Sequence, residues 1–160
     1  MQQFIYYTSI VIFSIFIGSQ ITEGALLVPY WQSLSSTDFY SYYNEFGPSI
    51  GRFYTILTII AALIPVSLAI YCKKINSRAF KLAFISSLYA ILFVATFYMY
   101  FKGTNELFFQ ASFTDVALKN ELITWSYWHW GRIIIECMSL IFLILSLNSI
   151  QNNTIYKRET

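Results

Sequence analysis

Charge is scarce in this chain. Asp, Glu, Lys and Arg together make up 11% of its 160 residues, against about a quarter of an ordinary soluble domain. Hydrophobic residues reach 57%, with 13 Tyr, 15 Phe and 4 Trp, so lipid rather than water is the solvent this composition suits. The net charge of +2 and the scatter of the basic residues exclude a nucleic-acid footprint. Cysteine is equally sparse. Cys72 and Cys137 have neither CxxC spacing nor a histidine cluster beside them, and His129 is the single histidine, so no metal site or redox pair is expected and two buried apolar thiols are. A basic start is missing too. Met1-Gln2-Gln3 carries no Lys or Arg and no small-x-small cleavage site follows, so the first apolar run reads as a retained helix rather than a secretory signal.

What remains is hydrophobic in long runs. Crossing about 30 Å of hydrocarbon takes roughly 20 apolar residues in a helix, the one single-segment form that satisfies its own backbone there. Four stretches qualify, at about 4–28, 53–72, 82–101 and 115–149, the last beginning as an outward extension before its crossing. The fold expected over residues 1–160 is a single all-α domain, a four-transmembrane-helix bundle in contact with the lipid bilayer. Pro65 falls inside the second run, where membrane helices tolerate a kink. Lys73, Lys74, Arg78 and Lys81 crowd the link between the second and third runs, and Lys157 and Arg158 the tail. Both places are expected to be cytoplasmic, which puts the N- and C-termini inside and agrees with an even number of crossings. The basic link is read as a topology signal, with contact to anionic lipid as the alternative.

Two outer connections follow from that orientation. In the first, Phe39, Tyr42, Tyr43 and Phe46 recur at i, i+3, i+4 and i+7, one apolar helical face. Ser36 or Thr37 is its expected cap and Gly47-Pro48 its expected stop, giving a short interfacial helix or a lid between helices one and two. In the second, nothing between Gly103 and Gly131 breaks a helix, so the fourth should start near Asp115 and project outward.

The fourth run carries the strongest functional signal. At about 100° per residue, Trp125, Trp128, His129, Arg132, Glu136 and Ser139 share one stripe. Glu136 falls about 16 Å beyond Trp125, near mid-bilayer, where an unpaired charge costs at least roughly 2.5–3.5 kcal/mol. Arg132, four residues before it, is the expected partner. Helix one adds Gln20 and Glu23 on one face, helix two Arg52 at its outer mouth, and helix three Asn105 at its outer end. Ser14, Gly18 and Thr22 form a separate stripe suited to close helix contact. Three readings stay open: a buried ionic network that sets helix register, a polar, Trp-lined binding or catalytic pocket, and a small-solute transport path.

Several of these residues also fall in short motifs: Val28-Pro29-Tyr30-Trp31, Gly-Pro-x-x-Gly-Arg from Gly47 to Arg52, Asn-x-Leu from Asn105 to Leu107, and Trp-x-x-x-His-x-x-Arg at Trp125, His129 and Arg132. Along nearly the whole chain the pattern resembles the anthrone-oxygenase-like family of small membrane proteins. The resemblance implies a four-helix membrane fold, a bacterial inner membrane as the setting, and, as in the fungal members, oxidation of a polyphenolic anthrone with molecular oxygen as co-substrate and no evident metal or other cofactor. It implies Asn105, His129 and Arg132 as catalytic residues: His129 as base, Arg132 and Asn105 holding an oxyanion, and the Trp side chains stacked on the ring. Gln20, Glu23, Arg52, Trp125, Trp128 and Glu136 are the expected substrate-binding set for a small aromatic or lipophilic ligand. No polyketide context accompanies these motifs, so the fungal substrate does not carry over. The rival function is a non-enzymatic ligand-binding or accessory membrane protein. The residues leave oligomeric state open.

Overall fold

The computed structural model describes the backbone of residues 2–159 and the side chains of residue 4 and residues 6–151. Four helices, with no strand among the described residues, are long and apolar enough to cross a membrane. Helix α1 passes from Gln2–Thr22 through a π-helical turn at Glu23–Leu27 into Val28–Ser33; α2 is Ser36–Cys72. Helix α3 passes from Ser77–Thr96 through a second π-helical turn at Phe97–Phe101 into Lys102–Phe109, and α4 is Asp115–Glu159. The start of α4 is where the sequence places it. Its far end carries Lys157 and Arg158, whose side chains lie outside the described residues.

Local chemistry accounts for most of these boundaries. Pro29 has no N–H to give the Ala25 carbonyl, and its ring would crowd that carbonyl. The turn before it widens instead, with the Val28 N–H reaching back to the Glu23 carbonyl. No proline accounts for the second π turn, and nothing in its local sequence explains it. Ser35, one residue ahead of the expected cap, accepts from the Asp38 N–H at 3.1 Å and starts α2. Asn76 starts α3 by accepting from the N–H groups of Arg78 and Ala79, each at 3.0 Å.

Gly47-Pro48 does not stop α2, contrary to expectation. The helix runs on through Pro48 and Pro65 to Cys72, so the aromatic face at 39–46 is continuous with the second crossing rather than a separate short helix. Packing overrides the breaker signal there. Phe39 and Tyr43 are buried against Phe108, with ring centroids 5.1 and 5.4 Å apart, and Phe109 lies so close to Gly47 that a Cβ would meet its ring at 3.1 Å. The same face therefore packs on α3, and the connection to α4 shrinks to residues 110–114, held by mutual hydrogen bonds between Tyr40 and Phe113.

The bundle has two differently built ends. Toward the basic link between α2 and α3, the α3 and α4 backbones approach over Ala79, Ala83, Ser86 and Ala90, all buried. Ser86 donates to the Ser139 carbonyl at 2.7 Å and Ser139 donates to the Ser86 carbonyl at 2.9 Å. Ser146 adds a bond to the Ala79 carbonyl at 2.8 Å. The other end is aromatic: Trp31, Phe39, Tyr43, Phe101, Phe108 and Trp125 form one buried cluster. Directly beneath it lies the charged group that the sequence singled out.

Candidate functional site

Helix α1 reaches α4 at Gly24. A Cβ on that residue would stand 2.9 Å from His129 Cδ2, 3.1 Å from His129 Nε2 and 3.2 Å from Trp130, so only glycine permits the approach. The stripe of Ser14, Gly18 and Thr22 does not serve this purpose. All three are exposed, and nothing would crowd a side chain at Gly18. The π turn at Glu23–Leu27 begins at the same level and turns Glu23 and Gly24, both buried, toward α4.

His129 is fully buried, and its hydrogen bonds define its tautomer. Nε2 lies 2.8 Å from the Gln20 carbonyl, an acceptor only, so Nε2 carries the proton and donates. Nδ1 then presents its lone pair to the Arg132 guanidinium at 3.0 Å. The ring stacks on Trp125 at 5.0 Å and 13°. Both nitrogens are thus engaged, and with no exposed surface the ring borders no water-sized void. The free base expected at His129 is not free in this arrangement, because the Arg132 guanidinium occupies the lone pair that would take a proton.

Arg132 joins the group together. Its terminal nitrogen bridges His129 Nδ1 and Glu23 Oε2, the latter at 3.4 Å, a long single contact where charge-assisted pairs run about 2.7–2.9 Å. Its guanidinium lies 4.2 Å from the Phe101 ring centroid and 5.5 Å from that of Phe93, so aromatic faces supply much of its solvation. Tyr54 of α2 donates to the Ser19 carbonyl at 3.0 Å with its hydroxyl beside the Glu23 carboxyl. The expected pairing of Arg132 with Glu136 does not form. Among the described residues the ion-pair partner of Arg132 is Glu23, brought in from α1 by the Gly24 contact.

The expected set therefore divides. Gln20, Glu23, Trp125, His129 and Arg132 share one buried cluster. Asn105 joins it at one remove, accepting from Trp125 Nε1 at 3.2 Å. Glu136 is buried one turn further along α4 and lines a cavity of about 10 Å³ with Phe13, Phe16, Thr58, Ala61, Ala90 and Phe93. Arg52 is exposed and belongs to none of these contacts. Trp128 is 38% exposed and stacks outside the cluster on Tyr100, with centroids 5.0 Å apart. The six stripe residues span about 100° of arc, and Trp128 sits at its edge. No protein-family model, curated protein or solved structure matches the chain.

Sequence spacing does not point to three residues in this region: Gly24, Tyr54 and Phe101. Gly24 and Tyr54 each lie close to a residue that was singled out, Gly24 beside Glu23 and Tyr54 two positions from Arg52. The only signal that points to Gly24 is a glycine next to an acid in an apolar run. Buried polar atoms also remain without partners: Gln20 Oε1, Arg132 Nε, Glu136 Oε2 and, at the aromatic end, Trp31 Nε1. Native interiors leave few such atoms, and an open donor and an open acceptor one turn apart can both bond one water or small polar group.

Proposed function

We propose that the chain is an anthrone-oxygenase-like membrane protein whose Glu23, His129 and Arg132 cluster is the closed form of a site for a small aromatic or lipophilic molecule. The observation that carries this reading is a buried guanidinium, walled by aromatic rings and held to its carboxylate by one long contact while its Nε has no partner. Such a group is ready to accept an anionic oxygen on a planar ring, with rings already placed to stack on it. Opening requires α1 to withdraw at Gly24, which releases His129 Nε2 from Gln20 and exposes the Arg132 edge. With the aromatic end facing outward, a ligand enters from the outer leaflet.

On the chemistry that the resemblance implies, an activated methylene and O₂ give a carbonyl and water: one oxygen atom bonds to carbon and the other leaves with both hydrogens. In the opened form the Arg132 guanidinium turns from His129 Nδ1 to the substrate oxyanion, and the lone pair it leaves free on Nδ1 takes the first proton. The test uses the purified protein in lipid nanodiscs with anthrone and hydroxyanthrones as probes, following saturable Trp quenching and oxygen uptake. His129→Gln, made at normal membrane yield, is expected to abolish uptake while quenching persists. Unchanged uptake in that variant, or no saturable quenching in the parent, refutes the reading.

A second reading rests on the complete engagement of both His129 nitrogens. Under it, the protein is a non-enzymatic accessory or ligand-binding component, and the cluster fixes the register of α1 on α4. His129→Gln then lowers folded yield or melting temperature and leaves no activity to lose.

A further inference from the structure

Two of the unpartnered atoms are complementary. Arg132 Nε is a buried donor and Glu136 Oε2 a buried acceptor, on the same helix and one turn apart, a rise of about 6 Å. They are spaced to pair, yet Arg132 turns instead to Glu23 on α1. The cluster and the turn of α4 beyond it thus hold two carboxyls and one guanidinium. Arg52 is exposed elsewhere, and Phe13, Phe16, Thr58, Ala61, Ala62, Ala90 and Phe93, which complete the cavity from α1, α2 and α3, bring no second cation. With Arg132 committed to Glu23, Glu136 has no counter-charge at mid-bilayer depth. An unpaired carboxylate there costs at least roughly 2.5–3.5 kcal/mol, and a bound proton removes that cost.

We propose that Glu136 is a proton-binding site whose occupancy decides which carboxyl holds Arg132. With the proton bound, Arg132 remains on Glu23 and α1 stays clamped over His129. When the proton leaves, the Glu136 carboxylate draws the guanidinium one turn along its own helix, Glu23 loses its partner, and α1 is freed at Gly24. Balance is simple: one proton departs, and one cation changes partner. The cavity of about 10 Å³ at Glu136, also lined by Thr58, is at the lower limit for one water, which gives the proton a first carrier. The titratable groups around Glu136 are Arg132, His129 and Cys137 on α4, with Glu23 on α1 and Tyr54 on α2 acting through Arg132. Among the cavity-lining residues α3 contributes none.

As the trigger for the opening that the proposed function needs, this inference rests on that reading, but its test involves no ligand, so the two fail separately. Infrared spectra of the protein in lipid nanodiscs at neutral pH should contain a protonated-carboxyl C=O band that shifts in D₂O, persists at the same frequency in Glu23→Asp, which still gives Arg132 a carboxylate, and disappears in Glu136→Gln. Amide exchange of the 18–28 segment should then rise at alkaline pH in the parent but stay at its neutral-pH protection in Glu136→Gln, with the two proteins compared at the same pH. Glu136→Asp, which retains a carboxyl, should recover the alkaline rise if Glu136→Gln proves too unstable to measure. A band absent at neutral pH, or an alkaline rise of equal size in parent and Glu136→Gln, overturns the proposal.

Discussion

Replacing Gly24 by alanine tests whether α1 and α4 meet where the geometry places them. The new methyl would stand 2.9 Å from His129 Cδ2, where carbon atoms prefer about 3.5–4.0 Å, so the ring or the helix must yield by roughly 0.6 Å or more. The ring has little freedom. It is stacked on Trp125 and bonded at both nitrogens. Overpacking of this kind costs about 1–3 kcal/mol, and loss of the His129 to Gln20 bond adds about 1 kcal/mol. The helix propensity gained from Gly to Ala returns about 1 kcal/mol. Gly24→Ala should therefore be less stable than the parent by about 1–3 kcal/mol. Gly18→Ala, on the same helix with nothing within 4 Å of its added carbon, should gain up to about 1 kcal/mol. Reversible unfolding in mixed detergent and SDS micelles, followed by Trp fluorescence, measures both. Equal stability of the two variants would refute the close approach of α1 to His129.

Other substitutions separate the remaining features. In a Glu136→Gln background, which leaves Arg132 no second carboxyl, Glu23→Gln strands the buried charge and should cost about 3–5 kcal/mol in the same unfolding assay, with much of the loss recovered when Arg132→Met is added; strictly additive losses would argue against the pair. Asn105→Ala leaves Trp125 Nε1 without an acceptor and should cost about 1–3 kcal/mol, whereas Arg52→Ala should stay within about 0.5 kcal/mol. A large Arg52 effect would place that residue in contacts it does not make here. Removing both Ser86 and Ser139 hydroxyls should cost about 1 kcal/mol, near twice the average for an interhelical bond in a membrane protein. Ser86→Leu should separate α3 from α4 and sharply reduce folded yield, so normal yield of that variant would contradict the small-residue contact.

The crossings were legible because a 20-residue apolar run has few other physical solutions. The start of α4 at Asp115 was readable for a related reason, the lack of any breaker up to Gly131. The α4 stripe also placed Trp125, His129 and Arg132 on one face, and the structure brings the three into contact. Partners were harder to read. Arg132 and Glu136 sit at favourable i, i+4 spacing, yet the pair that forms joins residues 109 positions apart, because Gly24 lets α1 closer to α4 than spacing within one helix can reveal. Gly47-Pro48 misled in the same way. It is a strong local stop, overridden once Phe39 and Tyr43 found Phe108 on another helix.

That separation of 109 residues between Glu23 and Arg132 also sets a schedule for biogenesis. At about 5–20 residues per second of synthesis, α1 is complete for roughly 5–20 s before its counter-ion has been made. Through that interval Glu23 must wait at the wall of the insertion machinery, in a water-lined vestibule, or carrying a proton in lipid. The α3 and α4 pair, zipped by Ser86 and Ser139, needs no such delay. Of the four helices, α1 therefore cannot complete its ion pair until α4 has been made.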